Sequence, residues 1–294
     1  MVRKSSRGNP NHDEMGRFCS APGVSTSEKS PAEYEMVTDL RQSQYADFTP
    51  AKTMAEAKAY AFDLGVTPYY EGLDLHTANM CNLCVKDTFE QFPEVRSIVK
   101  VIGSKRAIDR AISRDMIPIV EADFMKRYGG RYPKLFIKAA ARISVAKTLF
   151  RSKGMAYICY PSNGEDAKSQ VMAKYSGIYL ASANSLRTQI EYRSLIMHKF
   201  APKGTGKNSV KAVIDHEMGH AIERANKISD NESLMRDIKS HYNHKEVKDG
   251  LSECAGISSR EFFAEVWCEY KNSPDPRPIA MKYGQLMEKI HEKR

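Results

Sequence analysis

The hydrophobic pattern divides the chain into a featureless start, a helical first half and a second half in which strands give way to helices. Residues 1–45 are polar and Pro/Gly/Ser-punctuated, without periodicity, and read as a disordered tail. Helical spacing begins at residues 53–64, where Thr53 and Glu56 form a capping-box pattern and Gly65 follows as a stop. An extended piece at 66–71 leads into a second helix at 74–92, ended by Pro93. The run SIVKVI at 97–102 reads as a strand. Two basic amphipathic helices follow at 106–127 and 133–150, separated by Gly129-Gly130.

Aromatic and β-branched residues at 156–160 and 175–181 then predict two strands. Gly204-Thr-Gly206 reads as a flexible loop, and helical periodicity returns at 209–226, 232–242, 259–270 and 278–289. Helices, a small set of strands and more helices make an α+β chain. Its expected division is a tail at 1–45, a helical basic region at 46–155 and a second domain at 156–294.

Composition narrows the class. With 294 residues, 41% hydrophobic and 28% charged, the chain can bury a sizeable core. No window approaches the ~18 apolar residues of a membrane span, and no apolar stretch follows the basic start as a secretory signal would. Six cysteines are too sparse for a disulfide scaffold, so free thiols in a reducing compartment are expected. Residues 95–154 carry fifteen Lys/Arg against four acids, +11 of a total +9, which leaves the rest of the chain at −2. That segment suits DNA or another acidic surface, although two solvated amphipathic helices would look the same.

The helix at 209–226, with Ser209 placed to cap it, contains His216-Glu217-Met218-Gly219-His220. Histidines at i and i+4 stand one turn apart on one face and can share a Zn²⁺. The intervening Glu217 can then accept a proton from water at the metal, as a general base. Gly219 leaves room for another element to approach. A third ligand is needed. An extended HExxHxxGxxH would require Gly and His where this chain has Glu223 and Asn226. A later helix offers Glu261 and Glu265 on one face, with Phe262, Phe263, Val266 and Trp267 as packing surface. Glu261 as ligand would leave Glu265 to accept the free N–H of a ligand histidine.

Other motifs are weaker. Cys81-Asn-Leu-Cys84 lies within a helix and lacks a second CxxC, so small-residue packing is the expectation. Tyr157, Tyr160, Tyr175 and Tyr179 read as sheet packing, and Gly204-Thr-Gly-Lys207 is too short for a phosphate loop.

HEMGHAIE followed by REFFAE resembles the gluzincin pattern of the anthrax lethal factor-like zinc peptidases, which also occurs in C-terminal domains of tailed-phage minor head proteins. Residues 48–57, 72–79 and 92–94 resemble the segment preceding the zincin in those phage proteins, and 9–18 resembles a phage head-protein end. The resemblance covers about residues 46–290. It implies a zincin-like domain with His216, His220 and Glu261 as Zn²⁺ ligands, Glu217 as general base and Glu265 supporting a ligand histidine. It also implies that the strand at 175–181 is an edge strand. At the position seven residues before the ligand Glu, where the family commonly has an oxyanion-stabilising Tyr, this chain has Cys254. Tyr242, Tyr270, Tyr283, His241 or His244 would have to substitute.

The leading expectation is a phage-encoded zinc metallopeptidase acting on a peptide or protein substrate. It would work in the host cytoplasm or the virion, away from membranes. Against it stands a phage head or DNA-packaging protein with a structural or weakly active zincin-like domain, partnered by other head proteins. A nucleic-acid-binding protein with an incidental HExxH is the third alternative.

Overall fold

The computed structural model describes residues 47–149, 155–182, 186, 210–273 and 275–292. The expected tail at 1–45, the 204–206 loop, the 204–207 glycine motif and the capping role of Ser209 lie outside the described residues. Among the described residues no helix is long and apolar enough to cross a membrane.

The chain begins with α1 (Met54–Asp63), β1 (Thr67–Tyr69) and α2 (Leu75–Gln91). Thr53 Oγ1 accepts the Glu56 N–H at 3.2 Å, but the Glu56 carboxylate takes the Lys52 N–H, so only half of the expected capping box forms. Asp74 caps α2 by accepting the Thr77 N–H at 2.7 Å. The SIVKVI run is shifted from its expected strand. Pro93 starts a 3₁₀ turn through Ser97, with Ile98 N–H bonded to the Val95 carbonyl, and β2 is Val101–Ser104. Ile98 and Val99 are apolar because they plug the core from a turn, not because they lie in the sheet.

The basic helices are α3 (Lys105–Tyr128) and α4 (Lys134–Thr148), followed by β3 (Ala156–Cys159), α5 (Ala167–Lys174) and β4 (Gly177–Leu180). After these come α6 (Val210–Asn226), α7 (Glu232–His241), α8 (His244–Gly250), α9 (Ser259–Asn272) and α10 (Pro278–Glu292). Helices α5 and α8 carry no hydrophobic periodicity: α5 buries no residue and α8 only Val247.

Among the described residues four strands form one mixed sheet in the order β1-β2-β4-β3. β1, β2 and β4 run parallel, and β3 is antiparallel to β4, with Ala156 opposite Leu180. The expectation of β4 as an edge is therefore corrected: β4 is interior, and among the described residues β3 is the edge strand on that side. Gly177, at φ +147°, permits the β2–β4 pairing, since a Cβ there would lie 1.9 Å from the Val101 carbonyl oxygen.

Alternating strand residues feed two cores. Ile102, Ala156, Ile178 and Leu180 join α1, α2, α6, α9 and α10. Val101, Tyr157, Cys159 and Tyr179 join α3 and α4. Period-2 alternation puts these cores on opposite faces, so helices cover the sheet on both sides. The boundary expected at 155–156 runs through this continuous sheet and through the larger core.

Candidate metal centre

Helix α6 is buried at all described positions except Arg224 and Ala225, although it carries Lys211, Asp215, His216, Glu217, His220 and Glu223. So polar a helix tolerates burial only when its groups are matched by neighbours. The neighbour is α9. A Cβ on Gly219 would fall 2.8 Å from the Ala264 Cα, so the glycine sets the closeness of the two helices. Trp267, one turn on from Ala264, meets Phe92 edge-on at 5.4 Å. Below the motif, Lys211 and Asp215 form a buried ion pair at 2.5 Å, and Asn272 Nδ2 donates to Asp215 Oδ2 at 2.8 Å. Cys268 Sγ reaches the Ala212 carbonyl at 3.2 Å.

This packing brings two histidines and three carboxylates together. Ser258 caps α9 by accepting the Glu261 N–H at 3.2 Å, which fixes Glu261 in the first turn. Its carboxylate lies between the imidazoles: His216 Nε2 is 3.5 Å from Oε2, and His220 Nε2 is 3.5 Å from Oε1. Ligand atoms of His216, His220 and Glu261 all lie within 4.8 Å of one another. One turn along α9, Glu265 Oε1 is 2.8 Å from His216 Nδ1. Such a contact orients the ring and leaves Nε2 to face Glu261.

The donor set fits a cation. Glu217, Glu261 and Glu265 are each 1–2% exposed, and burial of three carboxylates beside two imidazoles calls for positive charge. Burial opposes an imidazolium at His216, but Glu261 and Glu265 outweigh it and push its pKa up to about 10. Glu217 is raised to about 7, first by burial and then by the Glu261 charge, against the lowering effect of His216 and of the Ile158 backbone N–H in β3.

Cys254 belongs to this cluster. Its thiol donates to Glu261 Oε2 at 3.2 Å. Ser252 donates to Glu265 Oε2 at 2.9 Å. Its Oγ also accepts the Ala255 N–H at 3.0 Å. The loop between α8 and α9 thus holds the Glu261 and Glu265 carboxylates of α9. No short-range pattern marks Ser252, because its partner lies thirteen residues on.

The proposed substitutes for the family tyrosine are engaged elsewhere. Tyr270 donates to Glu288 at 2.8 Å and Tyr283 to Asp237 at 3.3 Å. Tyr242 packs against Tyr283, with ring centroids 6.2 Å apart. His241 lies on Asp237, and His244 is close to Gly256. Tyr160, just past β3, is the phenol whose pKa is raised by burial and by the Glu223 and Glu217 charges. Glu223 accepts from Ser229, and Asn226 Nδ2 donates to the Ile222 carbonyl at 3.1 Å, so these positions turn to local contacts. Cys81 and Cys84 are fully buried, and burial raises both thiols, as expected of packing residues.

The described structure therefore holds a buried His-His-Glu cluster able to bind a metal ion, flanked by two further glutamates. No protein-family model, curated protein or solved structure matches this chain.

Proposed function

We propose that this protein is a phage-encoded, zinc-dependent metallopeptidase with a zincin-like domain of gluzincin type. The observation that carries the proposal is the convergence of His216 and His220 from one helix with Glu261 from another, with Glu265 on His216 Nδ1. His216, His220 and Glu261 would hold a Zn²⁺, which when bound would supply Lewis-acid activation of a carbonyl and of water.

The chain's own groups supply the rest. Glu217, with a pKa near neutrality, takes a proton from the attacking water at its carboxylate and delivers it to the leaving amine. Glu265 keeps the His216 ring in place. Among the described residues β3 pairs with a strand on one side only, and we infer that an extended peptide would add as a strand along its other side. Ile158 of β3 directs its N–H toward Glu217, so a peptide on that edge would run past the general base.

A second reading, a phage head or DNA-packaging protein with a structural zincin-like domain, is favoured by Cys254. A thiol bound to Glu261 replaces the phenol that would stabilise an oxyanion, and losing one such donor costs about 10²-fold in rate. Zinc content of wild type, His216→Ala and Glu261→Ala tests the metal, and cleavage of a peptide library by wild type and Glu217→Gln tests the chemistry. Zinc lost in both ligand variants and cleavage lost in Glu217→Gln are expected. A zinc-free wild type overturns the metal assignment. Zinc with no cleavage favours the structural reading.

A further inference from the structure

Helix α4 packs on α3 through one stripe, Ile137, Ala141 and Val145, the only buried residues among its fifteen. At about 100° per residue, the opposite face carries Leu135, Ala139, Ile143 and Ala146, all exposed. Leu135 is 80% exposed and Ile143 58%. Phe136, at 63%, extends this face toward the hairpin tip, where Tyr132 stacks on it at 5.7 Å. A helix serving one core needs one apolar stripe, and α4 has two. Five of the seven large exposed hydrophobic residues recorded among the described residues lie on this hairpin.

Charge surrounds the second stripe. Residues 126–147 contain seven Lys/Arg and no Asp or Glu. Arg127 and Lys138 pair with Asp123 and Glu121 of α3. Among the described residues no ion pair is recorded for Arg142 or Lys147, which flank the stripe.

We propose that this outward face of α4 docks an acidic amphipathic helix of a protein partner. The apolar positions 135, 139, 143 and 146 are spaced by four, four and three residues, so they share one face that a second helix can fill. Ala139 and Ala146 alternate with Leu135 and Ile143 and leave shallow places where another backbone can approach. The flanking cations select an acidic partner and disfavour a second copy of this chain, whose stripe carries the same charge. Single-stranded nucleic acid would gain nothing from Leu135 or Ile143, which neither stack on bases nor hydrogen-bond. A bilayer would gain little from the two alanines. The inference stands independently of the metal centre.

The test titrates the full chain with a synthetic helical peptide of about three heptads, Leu on its seam and Glu beside it, and with a Lys-flanked twin. Phosphatidylserine-containing vesicles and oligothymidylate serve as competing probes. The Glu peptide should bind and its twin should not. Leu135→Ser and Ile143→Ser should each weaken binding about tenfold, and Arg142→Glu should remove the preference for Glu. Ala139→Glu, at an exposed helical position, obstructs the seam without touching the buried stripe and guards against a folding artefact. Equal binding of both peptides, or of neither, overturns the proposal. So does loss of vesicle or oligothymidylate binding in these variants with peptide binding unchanged.

Discussion

The thiol of Cys254 lies 3.2 Å from Glu261 Oε2, on the carboxylate that also faces both histidines. A group that holds a ligand in place is worth about 10–100-fold in metal affinity at comparable sites. Cys254→Ala should therefore weaken Zn²⁺ binding by about tenfold in competition with a chromogenic chelator, and Cys254→Ser should restore most of it. In the Co²⁺-loaded protein a hydrogen-bonding thiol gives no sulfur-to-metal charge-transfer band. Its appearance in wild type would make Cys254 a ligand instead.

The contact between α6 and α9 depends on the missing side chain of Gly219. Because an added Cβ would press on the Ala264 backbone, Gly219→Ala should cost about 1–3 kcal/mol in urea unfolding. An unchanged midpoint would mean that the two helices separate at little cost.

Lys211 and Asp215 are both buried, at 2% and 1% side-chain exposure. Asp215→Leu strands a buried ammonium and should destabilise the protein by about 3–5 kcal/mol. The double variant Lys211→Met/Asp215→Leu should recover most of that loss. A double variant no more stable than the single one would show that Asn272 and its surroundings, rather than the charge, set the cost.

Asp115 joins α3 to the end of α5. Lys174 at 2.6 Å and Tyr175 at 2.8 Å, helped by Arg114 and opposed by burial, lower its pKa from 3.8 to about 2. A folded-state pKa below the unfolded one stabilises above the unfolded value and is lost as pH falls through the folded one. The difference in Tm between wild type and Asp115→Asn should thus be full at about pH 5 and close toward about pH 2. A gap constant across that window would remove the ionised carboxylate as its source.

Much of the site was legible because its signals are local. His216 and His220 declare one helical face, Gly219 declares a close neighbour, and Glu261 with Glu265 repeats the same i, i+4 logic on a second helix. Their meeting is tertiary, as is the hold of Ser252 on Glu265, and no window of sequence contains either. Strand order was equally hidden. The aromatic run around β4 reads alike at an edge or in the interior, and only the crossovers place β3 outside it. Helix α5 escaped because amphipathicity is the signal for helices and α5 buries nothing. What defines it is the Asp166 cap, whose Oδ1 accepts the Lys168 and Ser169 N–H groups at 3.0 and 3.1 Å.

The alternation along β2 and β4 makes the sheet a partition one strand-thickness deep. Residues pointing to one side support the histidines and glutamates, and their immediate neighbours support the basic hairpin. Substitutions on the exposed faces of α3 and α4 can therefore accumulate without disturbing the geometry of α6 and α9. A change within Val101–Ser104 or Gly177–Leu180 is felt on both sides at once. Among the described residues the basic hairpin and the candidate metal site thus sit on opposite sides of strands that serve both cores.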